Sequence, residues 1–305
     1  MGKIAFVFSG QGAQHSGMGK AFYDQSPAVR AIFDAAEAMR PGTLQQCFDS
    51  DAETLKQTQN TQPCLYLTDL AAALALQEAG IQADGLAGFS LGEIPALAFG
   101  GAYSAQEGFA IACKRGEAMA KAAAAAPASM VAVLKLEKSA VEALCHAHEG
   151  VYAVNDNAPG QVVCAGRSEA LPAFTEDVKK AGGRALPLAV GGGFHSPMMQ
   201  PAAEEFGEAL QQYPYTKPAL PVYGNTYAKP YGENGHAWMQ AQIHNPVRWV
   251  DTIRRMVSEG YDIFIECGVG NTLTKLIGKI DPSVRAFAVE DPESMANAIA
   301  ALKEA

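Results

Sequence analysis

Positive charge is scarce in this chain. Against 32 acidic residues stand 23 lysines and arginines, a formal net charge of -9. That balance argues against a nucleic-acid partner, because there is no basic excess to displace counterions from phosphates. It leaves room for a local basic patch that an acidic protein could dock on. Paired cysteines are missing too. The six cysteines, at 47, 64, 113, 145, 164 and 267, form no CxxC pair and join no histidine at zinc spacing. They read as small buried hydrophobes of a reducing cytoplasm, with no metal and no redox cofactor expected. Nowhere do about eighteen apolar residues run together, so no membrane span is expected. The first apolar run breaks at Ser9-Gly10, too early for a signal sequence. Internal repeats and low-complexity tails are absent as well.

What is present reads as a soluble globular chain, 49% hydrophobic and 18% charged over 305 residues. That is enough for one large unit with a smaller one attached. Lys3–Phe8 reads as a buried strand closed by a glycine loop. Pro63 marks the start of a helix over about Cys64–Glu78. A short strand, Gly85–Phe89, leads through a turn at Ser90 into a helix over Leu91–Phe99, and a further helix spans about Ala105–Ala124. This alternation predicts an α/β sheet.

The pattern changes near Pro127. A strand at Met130–Leu136 is followed by a helix at Ser139–His148 and strands at Val151–Asn155 and Gln161–Ala165. A helix at Ser168–Ala181 and a strand at Arg184–Val190 complete a β-α-β-β-α-β order, the ferredoxin-like signature. Residues 127–190 are therefore read as an inserted subdomain, and 1–126 with 191–305 as the main one. The run Gly191-Gly192-Gly193 reads as a flexible hinge. Helices at Pro201–Gln212, Trp249–Glu259 and Thr272–Ile280 and strands at Leu220–Gly224 and Asp262–Glu266 return the chain to α/β character.

The strongest chemical signal is Gly88-Phe89-Ser90-Leu91-Gly92, a G-x-S-x-G with a strand before it and a helix after it. In that setting the serine hydroxyl stands at a helix N-terminus, where main-chain N–H groups can meet an oxyanion. A plain glycine-rich strand-to-helix turn is the bland reading. A nucleophilic serine needs a base. His146 and His148 fall on the first helix of the insert and read as surface residues, and His236 reads as a solvated loop residue. His195, on the loop after the triple glycine, is the first candidate by position, with His15 and His244 behind it. Arg115 sits on a largely apolar helix. If it points inward it wants a carboxylate, and a structural ion pair is the alternative. The loop Ser9–Gln14 matches neither a dinucleotide fingerprint nor a P-loop. Gln11, between two glycines, can bring a backbone N–H beside a reacting serine.

Taken in order, these segments resemble the malonyl-CoA:acyl carrier protein transacylase family, which includes the acyltransferases of fatty-acid and polyketide synthesis. Phe8–Gln14 resembles its FPGQG-(S/A)-Q opening, Asn60–Pro63 its NTQPAL segment, and Gly88–Glu93 its GHSLGE. Lys114-Arg115-Gly116 resembles its RG step, and Asn155–Gly166 its N-x-N-(S/A)-PGQVV-x-AG. Phe194-His195-Ser196 resembles FHS, and Asn245–Trp249 resembles NPV-x-W. The resemblance implies a hydrolase-like α/β fold with a ferredoxin-like insert. It implies Ser90 as nucleophile, His195 as base, and Arg115 as partner of the malonyl carboxylate. It implies Gln11 and the Leu91 backbone as oxyanion hole, and Gln242 orienting the imidazole through its main-chain carbonyl. Phe194 before the histidine resembles the malonyl-type signature. Malonyl-CoA and holo acyl carrier protein are the implied partners, and a monomer the implied state.

Three positions depart from the pattern: Phe89 for the usual histidine, Ser9 for proline, which should loosen the first loop, and Val269 for proline. Two rival readings stand beside a malonyl transferase. One is a serine esterase or thioesterase, which wants an acidic third residue behind His195. The other is a transferase for another short acyl-CoA. A non-catalytic docking module would not need Ser90, His195 and Arg115 together.

Overall fold

The computed structural model describes residues 2–303. Its strands are β1 (Lys3–Phe8), β2 (Gly85–Gly88), β3 (Ala128–Leu134), β4 (Val151–Ala158) and β5 (Gln161–Arg167). They continue with β6 (Arg184–Pro187), β7 (Val222–Gly224), β8 (Lys229–Pro230), β9 (Tyr261–Cys267) and β10 (Arg285–Val289). Six of them form one sheet in the order β10-β9-β1-β2-β7-β8. All neighbours in it run parallel except the short edge pair β7 and β8. β1 lies inside this sheet and alternates strictly. Phe6 and Phe8 enter one apolar cluster and Ala5 and Val7 the other, so both faces of the strand are covered.

The register of this sheet places the site. Phe8, the last residue of β1, lies opposite Gly88 of β2 and Cys267 of β9. Three neighbouring parallel strands thus end level, and the chain leaves each of them into a glycine-containing loop on the same edge. In open α/β sheets ligands gather outside these carboxyl ends.

The remaining strands form a separate antiparallel sheet in the order β4-β5-β3-β6. Both of its faces are used. Val131, Val133, Val162 and Cys164 pack under the helices Lys138–Ala147 and Leu171–Lys180 with Phe174 and Val178. The alternate residues Met130, Ala132, Val163 and Ala165 join the large core of the chain. β4 also touches the main body, where Asp156 N–H donates to the Val247 carbonyl at 3.0 Å and Val247 N–H to the Val154 carbonyl at 2.8 Å.

Several expectations need correction. The helix expected from Cys64 begins six residues earlier, at Thr58, with Pro63 inside it. Proline removes only the bond to the Gln59 carbonyl, and the added stretch is held by burial. Thr61 donates to the Leu55 carbonyl. A Cβ at Gly116 would stand 3.0 Å from Gln59 Cα, so the helix Ala105–Ala125 lies directly against this stretch. The triple glycine is not a loose hinge throughout. A Cβ at Gly192 would come 2.8 Å from Ala123 Cβ, and Ser196 Oγ donates to the Gly193 carbonyl at 2.6 Å. Residues 13–57, unassigned from the sequence, carry four helices, among them Pro27–Met39, which is capped by Ser26 and buries Val29, Phe33 and Ala36. β10 and the helix Pro292–Lys303 were likewise unassigned.

The turn after β2 depends on two glycines. A Cβ at Gly88 would fall 1.9 Å from the carbonyl carbon of Gly92, and one at Gly92 would fall 2.2 Å from the Phe8 oxygen. Gly92 has φ -57°, a conformation alanine also adopts, so the obstacle there is space alone. Gly92→Ala should therefore lower unfolding free energy by about 1–3 kcal/mol, measured by urea denaturation. A change below about 0.5 kcal/mol would mean that the β1 edge yields.

Candidate active site

Ser90 opens a single 3-10 turn, Ser90–Gly92, that leads into the helix Glu93–Phe99. Its φ is +55°, in the left-handed region, and that of His195 is +60°. Two non-glycine residues held there beside one another mark a place where the surroundings override local preference. Ser90 Oγ lies 2.7 Å from His195 Nε2. His195 Nδ1 lies 2.9 Å from the main-chain oxygen of Gln242.

These two distances settle the proton. A carbonyl oxygen only accepts, so Nδ1 must carry the hydrogen. In the neutral ring Nε2 is then the free acceptor, and the serine O–H donates to it. Burial pushes His195 down to about 4, with the nearby Arg115 charge adding to this and the Gln242 carbonyl opposing it. The imidazole is therefore neutral and ready to take a proton at neutral pH.

Arg115 is buried, at 2% exposure. It points inward, but to neutral oxygens rather than a carboxylate. It donates to Gln62 Oε1 at 2.9 Å, Gln242 Oε1 at 2.8 Å and Ser90 Oγ at 3.1 Å. Burial lowers its pKa to about 10, opposed by the Glu93 charge, and it stays cationic at neutral pH. Glu93 is itself buried and pushed up to about 7 by desolvation, against hydrogen bonds from Tyr231 and the Asn225 backbone.

A cleft of about 340 Å³ opens over these groups. Gln11, Leu91 and Phe194 line it together with Ser90, Arg115 and His195. Gln11 lies on the loop after β1, which presses on the serine turn so closely that a Cβ at Gly10 would meet the Phe89 oxygen at 2.8 Å. The small sheet forms the opposite wall with Met130, Ala132 and Val163. Asn155 and Asn157 also line the cleft, and the side-chain oxygen of each is buried without a hydrogen-bond partner among the described residues.

The other histidines lie apart from Ser90. His15 reaches Glu290 and the Ser16 carbonyl. His244 keeps a buried, unpartnered Nδ1 among the described residues. His146 is exposed. His148, expected at the surface, is half-buried and bonds Asp177 at 3.0 Å. His236 is not a solvated loop residue. It lies on the helix Gly235–Gln242, bonds the Tyr213 carbonyl at 2.9 Å and stacks on Tyr103, because the aromatic cluster offers it a slot.

Among the departures, Ser9 does not loosen its loop. Its hydroxyl donates to Asp69 Oδ1 at 2.7 Å in the buried interior. Phe89 rests edge-on against Trp249, with ring centres 5.4 Å apart. Val269 is buried and lines the cleft. Sequence reasoning passed over Gln62, Glu93 and Asn225 as members of the site. Gln62 and Glu93 lie inside segments that carry the resemblance. Asn225 follows a three-residue strand and carries no local signal.

Because His195 is the acceptor, modification of Ser90 by an organophosphorus reagent should be flat above about pH 5. It should fall at lower pH with a midpoint near 4. A midpoint near the ordinary histidine value of about 6.5 would show that the imidazole is solvated. Between those values the unfolded chain holds a proton that folded His195 refuses, so this group lowers stability as pH falls through that window.

The acyl transferase domain family matches residues 5–287. The malonyl CoA-acyl carrier protein transacylase of Bacillus subtilis is 38% identical over 100% of this chain and 98% of its own length. The solved structure of the transacylase of that name from Clostridium perfringens superposes with a TM-score of 0.95 at 34% identity, covering 99% of this chain and 98% of the other. A malonyl-transacylase in complex with its type II PKS acyl-carrier protein superposes at 0.93 and 32% identity, covering 98% and 99%. With an end-to-end match in sequence and a matching fold, this chain belongs to the acyl transferase domain family of the malonyl CoA-acyl carrier protein transacylases.

Proposed function

We propose that this enzyme moves a malonyl group from malonyl-CoA to the phosphopantetheine thiol of an acyl carrier protein through an ester on Ser90. The observation that carries this reading is the buried, cationic Arg115 beside Ser90 Oγ. Its hydrogen bonds all go to neutral oxygens, so a substrate carboxylate finds a charge to pair with.

The chemistry follows from the proton positions. Ser90 Oγ attacks the thioester carbon as its proton passes to His195 Nε2. The oxyanion takes hydrogen bonds from the main-chain N–H groups of Leu91 and Gln11. The tetrahedral intermediate collapses, the sulfur of coenzyme A leaves and takes the proton from the imidazolium. The carrier thiol then gives its proton to His195, its sulfur attacks the Ser90 ester, and the serine oxygen leaves with that proton. Gln242 holds the ring in one tautomer through its carbonyl. Phe194 packs beside the acyl group.

Transfer prevails over hydrolysis when the ester is held where a thiol reaches it and water is poorly placed. An acetyl group leaves the buried guanidinium without its anion, which is the basis of selectivity. An esterase would draw on a carboxylate behind the histidine, and the partner of Nδ1 is a main-chain carbonyl. In this reading the enzyme works as a monomer in the cytoplasm, in fatty-acid synthesis or beside a polyketide assembly line.

Intact-protein mass measurement tests the reading. Malonyl-CoA should leave a stable malonyl adduct that is absent in Ser90→Ala and moves to holo carrier protein. Release of free malonate without transfer would favour the esterase, and no adduct at all would sink both. Arg115→Ala should cut malonyl loading by on the order of 100-fold, and acetyl loading far less. Equal losses would remove Arg115 from its assigned role.

A further inference from the structure

Ser90 is held in a backbone conformation that a non-glycine residue adopts only when its surroundings over-determine it, and its main chain shows what does so. Its N–H donates to Asn225 Oδ1 at 2.7 Å, and its carbonyl accepts from Gln242 Nε2 at 2.7 Å. Asn225 Nδ2 reaches back across the turn and donates to the Gly88 carbonyl at 2.6 Å. The same carboxamide therefore grips the chain on both sides of Phe89.

We propose that Asn225 is the positioning residue of the nucleophile. Its side chain brackets the Gly88–Ser90 turn and keeps Ser90 Oγ between His195 Nε2 and the Arg115 guanidinium. The assignment deepens the transferase reading and depends on it only for the identity of the acyl group.

The placement follows from the sheet. β7 pairs with β2 through Leu86 with Val222 and Ala87 with Tyr223, so the residue just past the end of β7 arrives beside the turn that ends β2. Asn225 is fully buried. The turn presents one N–H and one carbonyl, and a carboxamide offers one acceptor and one donor at that spacing. Aspartate offers two acceptors, and serine is too short to span both. The bracket is braced from behind. The backbone N–H of Asn225 donates to Glu93 Oε1, whose other oxygen accepts from Tyr231. Its carbonyl accepts from Arg248 N–H at 3.0 Å. Asn225 thus belongs to a rigid frame and acts on the reaction through Ser90.

A fluorophosphonate reads the placement of Ser90 Oγ without malonyl-CoA, so this assignment and the transferase reading can fail separately. Asn225→Ala should slow modification of Ser90 by on the order of 100-fold. With malonyl-CoA it should lower kcat by a similar factor while KM moves less than about threefold. Asn225→Asp keeps the volume and the acceptor for Ser90 N–H but sets an oxygen against the Gly88 carbonyl, and it should be slowed likewise. Modification at the wild-type rate in either folded variant overturns the proposal, as does a raised KM with unchanged kcat. Slowed modification without any malonyl transfer by the wild type leaves the proposal standing and removes the transferase reading. Amide hydrogen exchange in the unaltered protein gives an answer even where neither variant folds. Slow exchange at Ser90 N–H supports the bracket, and exchange at the rate of an open loop overturns it.

Discussion

One hydrogen bond decides what this site does. The Gln242 carbonyl accepts from His195 Nδ1 and thereby leaves Nε2 as a bare acceptor facing the serine. A carbonyl serves as well as a carboxylate for selecting the tautomer, yet it brings no negative charge. An imidazolium at His195 is then less stabilised than it would be beside an aspartate, and the Arg115 charge nearby disfavours it further. The same arginine can coexist with this histidine because the ring is neutral at rest. A buried carboxylate behind His195 would compete with a substrate anion for Arg115.

Much of the fold is legible in the residues because local signals are strong where the chain is buried. β1, the helix of Arg115 and the β-α-β-β-α-β order carry clear periodicity and glycine punctuation. The helices between residues 20 and 56 carry signals too, such as Ser26 with Pro27 at a helix start and Gly19 and Gly42 before two others, but three of the four span only five or six residues. Pro63 misleads for a physical reason. A proline near a helix start usually sits at its first position, and here tertiary packing on Gly116 extends the helix past it. The candidate site is legible where chemistry demands an unusual local sequence, as at Ser90. It is hidden where an ordinary residue does a distant job. His195 leads His15 and His244 by position alone, and the folded chain turns that lead into a contact with Ser90 Oγ. Asn225 is invisible because its partners lie 135 and 137 residues away.

The departures from the family pattern are absorbed by their neighbours. Ser9 exchanges the rigidity of proline for a bond to Asp69, whose carboxyl burial pushes well above the usual range. The loop that carries Gln11 is thus tied to the long helix Thr58–Glu78 rather than set free. Phe89 makes its contact with Trp249. The wall beside Ser90 there is hydrocarbon, and a histidine's hydrogen-bonding capacity is absent from it.

The small sheet has a consequence of another kind. Along β3 and β5 the side chains alternate between two duties. Val131, Val133, Val162 and Cys164 hold the sheet to its helices. Met130, Ala132 and Val163, one residue out of phase, form a wall of the cleft. The cleft wall and the hold on the helices are therefore written in separate letters of the same two strands. Met130, Ala132 and Val163 also belong to the large core, so exchange of a cleft-facing letter reshapes the cleft wall and the packing behind it together, while the neighbouring letters keep the sheet on its helices. A change of cleft shape at these positions therefore has to be accommodated by the core on which the small sheet rests, and volume-conserving exchanges are the ones it tolerates best.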